Sequence, residues 1–281
     1  MQLIDFDSLF QEQVTSYMQA HKGEFTEVEW EEKIVKLYQQ FIDTPMKDLQ
    51  VTPKQYFKEK STAELVALLK EYVQAKMTVP DVLLEALAKI GYNLEIAALL
   101  VEDNEELQFY AIDLLQADKR ILQSYFYILK NPQYSVAVKA EIVAQLEKIA
   151  YKLKQPLYKL LHTQGQEYAI ELLIKAGEKS DELYNKLVEG YRTAQNKLLY
   201  LKFLGDYGDT RALQFLYEDI ASEEIGYILF KEMKYTIEQL GGSYDIIRNF
   251  KFDADYQAIQ VANQREEELR NQSQVEGKKN D

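Results

Sequence analysis

The sequence predicts an all-α protein of repeated helix pairs stacked as a solenoid. Three observations carry that reading: a shortage of turn formers, a helix end that recurs along the chain, and one apolar register shared by the helices that stop there. Only 11 Gly and 5 Pro occur in 281 residues, under half of the roughly 12% that average usage supplies. Sheets spend Gly, Pro, Asn and Asp on a tight turn after every strand, so a chain this short of them is mostly helix. Helix ends are expected at Gly91, Gln116, Ala150, Gly177, Gly205 and Gly241. Their spacing of about 30 residues is that of stacked helix pairs.

The shared register is the sharper test. One position before each end stand Ile90, Leu115, Ile149, Ala176, Leu204 and Leu240; four before stand Leu87, Ile112, Leu146, Leu173, Leu201 and Ile237. Seven before are Leu84, Phe109, Val143, Ile170 and Leu198, with Lys234 the exception. Spacings of three and four place these on one helical stripe, so Leu173 and Leu201 should be buried.

The remaining elements follow from local patterns. Phe6, Phe10, Val14 and Tyr17, then Trp30, Ile34, Leu37, Tyr38 and Phe41, mark two helices in an N-terminal helical unit over 1–60 that packs on the solenoid. Thr44-Pro45 and Thr52-Pro53 each suit a helix start, with Thr at the N-cap and Pro where no N–H is needed. The first helix of each pair is expected near 61–75, 93–101, 118–129, 155–163, 180–189, 209–220 and 243–249, with N-cap oxygens from Ser180 and Asp209. That makes six to seven pairs over 61–263. From Gln264 to Asp281 almost no apolar residue remains, which predicts a fraying helix end followed by a disordered tail.

The segment Leu204-Gly205-Asp206-Tyr207-Gly208-Asp209-Thr210-Arg211-Ala212-Leu213 resembles the inter-repeat junction of HEAT-repeat proteins, within the armadillo-like helical repeat superfamily. The resemblance extends over about 61–250. Departures are short pairs, an arginine cleanly placed only at Arg211, and a long second helix around 133–151. The resemblance implies that the second helix of each pair lines a concave face. Positions three, six and ten before each end would point there: Glu106, Tyr110, Asp113, Glu147, Glu167, Glu171, Tyr235 and Glu238, with Gln195, Lys202 and Lys231 among them. A solvated helix face would also be charged. As a binding face, it implies a non-catalytic protein–protein scaffold taking a basic or amphipathic partner segment. Relatives by architecture leave three other expectations open: a DNA-base glycosylase type, a bilin-lyase type, and a purely structural subunit.

Composition narrows the partner class. With 33 Lys+Arg against 46 Asp+Glu, the net charge is −13 and the isoelectric point about 4.8. That field repels nucleic-acid phosphates and anionic membrane surfaces. No cysteine is present and the first residues are acidic rather than basic, which predicts a cytoplasmic protein without a secretory signal. His21 and His162 are the only histidines, so no metal site is expected. With no P-loop, G-x-G-x-x-G or G-x-S-x-G, neither a cofactor nor a catalytic residue is expected. The acidic pairs Glu31-Glu32, Glu105-Glu106 and Glu223-Glu224 suit first turns of helices. The 21 tyrosines fit half-exposed sites in a shallow two-layer core, or a binding surface.

Overall fold

The computed structural model describes residues 3–46 and 50–277, with side chains as far as residue 266. Among the described residues the regular structure is entirely helical, without a strand. No described helix is long and apolar enough to cross a membrane. The chain divides into two compact units, Met1–Ile149 with Thr163–Gly165, and Ala150–His162 with Gln166–Asp281.

In unit 1, α1 (Phe6–Ala20) and α2 (Glu27–Ile42) form a hairpin, with Phe10 against Tyr38 and Phe41 at ring distances of 5.2 and 5.5 Å. Helix α3 (Pro53–Lys58) is followed by α4 (Thr62–Ala75) and α5 (Asp81–Ile90). Next come α6 (Leu94–Ala98), extended by a 3-10 turn at Leu99–Val101, and α7 (Glu105–Leu115). Helices α8 (Leu122–Lys130) and α9 (Val136–Glu147) complete the unit. Capping boxes open three of these: Thr26 with Glu29, Thr52 with Gln55, and Ser61 with Glu64. Each satisfies two backbone donors that the helix cannot. Thr52-Pro53 is a start as expected, but Thr44-Pro45 is not. The Thr44 hydroxyl donates to the Gln40 carbonyl at 2.6 Å and closes α2, and Pro45 and Met46 are not helical. Residues 47–49 lie outside the described ones.

Unit 2 begins with a 3-10 turn at Ala150–Lys152, then α10 (Lys154–Leu160), α11 (Gln166–Lys175), α12 (Asp181–Thr193) and α13 (Lys197–Tyr207). It ends with α14 (Ala212–Ile220), α15 (Tyr227–Gln239) and α16 (Ala254–Gly277).

Besides α1 on α2, six helix pairs pack as hairpins among the described residues: α4 on α5, α6 on α7 and α8 on α9 in unit 1, then α10 on α11, α12 on α13 and α14 on α15 in unit 2. Within unit 1 the second helices α5, α7 and α9 lie side by side, and within unit 2 so do α11, α13 and α15. The middle of the apolar register explains this. Leu87, Ile112, Leu146, Leu173, Leu201 and Ile237 are each 0% exposed, while the outer positions loosen, with Ile90 and Leu198 nearly 40% exposed at 38% and 39%.

Several boundaries differ from the sequence reading. Helix α13 does not stop at Gly205 but runs on to Tyr207, and Gly208 takes the left-handed cap at φ +70°. Gly205 serves packing instead, since a Cβ there would lie 2.1 Å from the Gln239 side chain of α15. Helix α9 stops at Glu147, short of Ala150. Asp209 does not cap α14: its carboxylate accepts from the Arg211 N–H at 2.9 Å and from the Arg211 guanidinium. No helix forms over 243–249. There the chain is strapped down instead. Arg248 donates to the carbonyls of Ile220 and Ser222 at 2.8 and 2.7 Å, and the Ser243 N–H donates to the Tyr217 hydroxyl. Asp253 closes the strap, accepting from the Tyr227 and Tyr256 N–H groups at the starts of α15 and α16. Helix α16 continues past the expected fraying point at Gln264 to Gly277, and residues 278–281 lie outside the described ones. Of the acidic pairs, Glu105-Glu106 opens α7, whereas Glu31-Glu32 lies inside α2 and Glu223-Glu224 precedes α15.

The tyrosines are less exposed than a shallow core implies: Tyr72, Tyr125, Tyr191 and Tyr207 are fully buried. Their hydroxyls are hydrogen-bonded, Tyr191 to the Asp219 carboxylate and the others to backbone groups. Tyr207 both accepts from the Ser180 N–H and donates to the Ser180 carbonyl at 3.0 Å, and Tyr72 donates to Ile4 at 2.6 Å.

Candidate functional site

The second helices of unit 1 border two adjoining depressions. The larger, about 850 Å³, has Asp81 and Glu85 from α5, Asp113 from α7, and Asp118 and Lys148 around apolar Leu84, Leu114 and Ile149. The smaller, about 420 Å³, is lined by Glu106, Phe109, Tyr110, Asp113 and Glu141. Asp113 belongs to both. Side chains three or four apart share a helix face, which is why Asp81 with Glu85, and Glu106 with Tyr110 and Asp113, present together.

The charges here are mostly uncompensated. Asp81, Glu106 and Asp113 have no ion pair among the described residues. Glu85 has Lys89 at 3.7 Å. Asp118 is neutralised by Arg120, whose side-chain hydrogen bonds hold its carboxyl down at about 2, and that guanidinium stacks over Tyr92 at 4.4 Å. The one lining cation, Lys148, donates to Gln145 at 2.8 Å. Two half-buried tyrosines register the field. Burial, followed by the charges of Asp81 and Glu85, pushes the Tyr38 hydroxyl up to about 12. Burial, then Glu106 and Asp81, raises Tyr110. An apolar floor under a rim of like charges favours a cation-bearing segment, because pairing relieves repulsion that the free protein carries.

Of the residues expected on the binding face, Glu106, Tyr110 and Asp113 are brought together here, with Tyr110 half-buried rather than fully in solvent. Glu147 is exposed at the end of α9 but lines neither depression. From this part of the chain it is Glu141 and Lys148 that line them. The others lie in unit 2: Glu167 is exposed and Glu171 half-buried on α11, and Tyr235 and Glu238 are exposed on α15, with Lys234 3.9 Å from Glu238. Unit 2 has its own cleft of about 440 Å³, where Arg192 and Lys197 offset Glu218, Asp219 and Glu224.

Sequence reasoning overlooked Asp81, Glu85, Glu141 and Tyr38. The first two were within reach, standing ten and six positions before Gly91 by the offsets that selected Glu106 and Tyr110. Tyr38 comes from α2 and is delivered by packing alone. Among the described residues no group of three or more His, Cys, Asp or Glu is placed to share a metal ion. No protein-family model, curated protein or solved structure matches the chain. The geometry of the site therefore carries the functional reading.

Proposed function

We propose that the chain is a non-catalytic, HEAT-like binding protein that takes a basic, amphipathic segment of a partner protein on the acidic, tyrosine-bearing face of α5, α7 and α9. One observation carries this: Asp81, Glu106 and Asp113 converge on two adjoining depressions without an ion pair among the described residues to offset them. Leu84, Leu114 and Ile149 would meet the apolar side of the segment, and the carboxylates its Lys or Arg side chains. The hairpin succession and the side-by-side second helices support the HEAT-like part of the reading. The net charge of −13 favours a protein partner over a phosphate backbone.

The test is fluorescence anisotropy with a labelled Lys/Leu amphipathic peptide and a Glu/Leu peptide of the same length. The basic peptide should bind, and binding should weaken as salt rises. The pair Asp81→Asn and Asp113→Asn should weaken it by about tenfold. Glu167→Gln with Glu238→Gln in unit 2 should leave it unchanged. Equal binding of the acidic peptide, or full affinity in the Asp81/Asp113 variant, would sink the proposal.

A further inference from the structure

The smaller depression of unit 1 combines two kinds of side chain that the chain uses together twice elsewhere, each time around a guanidinium. Asp118-Lys119-Arg120 follows α7. There Arg120 donates two parallel bonds to the Asp118 carboxylate, at 2.9 and 2.7 Å, while its guanidinium lies 4.4 Å from the centre of the Tyr92 ring. Asp209-Thr210-Arg211 follows α13 and repeats the device. Arg211 donates to the Asp209 carboxylate at 3.1 and 2.7 Å and to Asp181 at 2.8 Å, and lies 4.0 Å from the centre of the Tyr184 ring. Planarity permits this, since the N–H groups point edgewise to a carboxylate while the flat face stays free for a ring. The lysines take one partner or the other. Among the described residues Lys54 meets Asp43 and Lys186 meets Glu189, neither over a ring, whereas Lys179 lies 4.1 Å over Tyr207 without an ion pair.

In the smaller depression the same ingredients meet. Glu106, Tyr110 and Asp113 share a face of α7, Phe109 stands beside them, and Glu141 comes from α9. Tyr110 is half-buried, so packing holds the ring while part of it opens on the depression. Glu141 accepts from the Gln145 amide at 3.2 Å, a neutral donor that leaves its charge in place. Among the described residues no Lys or Arg pairs with these three carboxylates or lies over either ring. The acidic field alone does not choose between Lys and Arg, which carry the same charge. A ring beside carboxylates does, because a guanidinium stacks on the one while it bonds the other. We propose that the smaller depression is a receptor for an arginine side chain, taken in preference to lysine from the segment bound on the acidic face; this rests on the basic-segment reading of that face. Tyr110 supplies the stacking surface, and Glu106, Asp113 and Glu141 accept the N–H groups.

Fluorescence anisotropy on the full chain tests it, with labelled Lys/Leu and Arg/Leu amphipathic peptides of one pattern, length and charge. The Arg/Leu peptide should bind at least about fivefold more tightly. Tyr110→Leu should cut that ratio below about twofold and leave the Lys/Leu peptide bound much as before, with circular dichroism melting as the control for folding. Glu141→Gln, which keeps the side chain's shape, should also shrink the ratio, through loss of a charged acceptor. Asp81→Asn, in the larger depression, should weaken both peptides alike and leave the ratio unchanged. Equal affinity for the two peptides overturns the arginine receptor and leaves the basic-segment reading standing. So does a preference that Tyr110→Leu and Glu141→Gln both leave intact. If neither peptide binds, the receptor falls together with the reading on which it rests.

Discussion

Units 1 and 2 share a run of three helix hairpins with the second helices side by side, to which unit 1 adds the α1–α2 hairpin, yet they place their carboxylates differently. In unit 2 a set of carboxylates beside the helix starts and junctions is engaged within the unit. Asp209 and Asp181 share Arg211, Asp219 accepts from Tyr191 at 2.9 Å, Glu182 meets His162, and Asp253 caps two helix starts. In unit 1, Glu106 and Asp113 have no such partner, Asp81 has only the Tyr38 hydroxyl, and the three ring an apolar floor. Both patterns come from the same residue types on the same hairpin plan. Spending charge internally ties a unit together, whereas leaving it unpaired costs repulsion that a partner can remove. The acidic rim of unit 1, set against the Arg192 and Lys197 that line the unit 2 cleft, is the reason to place binding in unit 1.

The largest expected effects do not distinguish the units, and that is their use. Ile112→Ala in unit 1 and Leu173→Ala in unit 2 both empty sites that are 0% exposed. Each should cost about 2–5 kcal/mol in denaturant unfolding. A cost below about 1 kcal/mol at either position would show that the apolar stripe is not equivalent in the two units.

Next comes a pair of hydroxyl deletions that should separate them. Tyr207→Phe leaves the part-buried Ser180 N–H without its acceptor and the Ser180 carbonyl with only the Tyr184 N–H, and should cost about 1–3 kcal/mol. Tyr110→Phe removes a half-exposed hydroxyl at the acidic site and should change stability by about 0.5 kcal/mol or less. Equal costs would break the comparison.

The smallest effect per residue concerns pH. Tyr38 is held protonated up to about 12, against 10.0 when free, by burial and by Asp81 and Glu85. A raised folded value means that the folded state keeps its proton where the unfolded state has lost it. The contribution is therefore fully present below about pH 10 and is lost as pH rises through about 12. Melting temperature should fall across that window, helped by Tyr72, Tyr125 and Tyr191, which burial shifts the same way. Tyr38→Phe should make the fall shallower. An unchanged slope would mean that the acidic rim does not act on Tyr38.

What the sequence determined by itself was local. Apolar spacing sets which face of a helix turns inward, so Leu87, Ile112, Leu146, Leu173, Leu201 and Ile237 were legible as core. Caps act within three residues, so Thr52 and Ser180 were legible as helix starts, although Asp209, read the same way, binds Arg211 instead. Glu106, Tyr110 and Asp113 were legible as one face because helical geometry alone brings them together. Tertiary structure decided the rest. A glycine needed for close approach looks the same in sequence as one needed for a left-handed cap, and only the nearness of Gln239 shows which role Gly205 has. The backbone over 243–249 is held by Arg248 bonding to carbonyls more than twenty positions earlier, at Ile220 and Ser222, and no local pattern records that. Nor could spacing along one helix show that Tyr38 of α2 would stand beside Asp81 of α5. Chain-local periodicity fixes what each helix presents, but which presented groups become neighbours depends on packing between segments far apart in sequence.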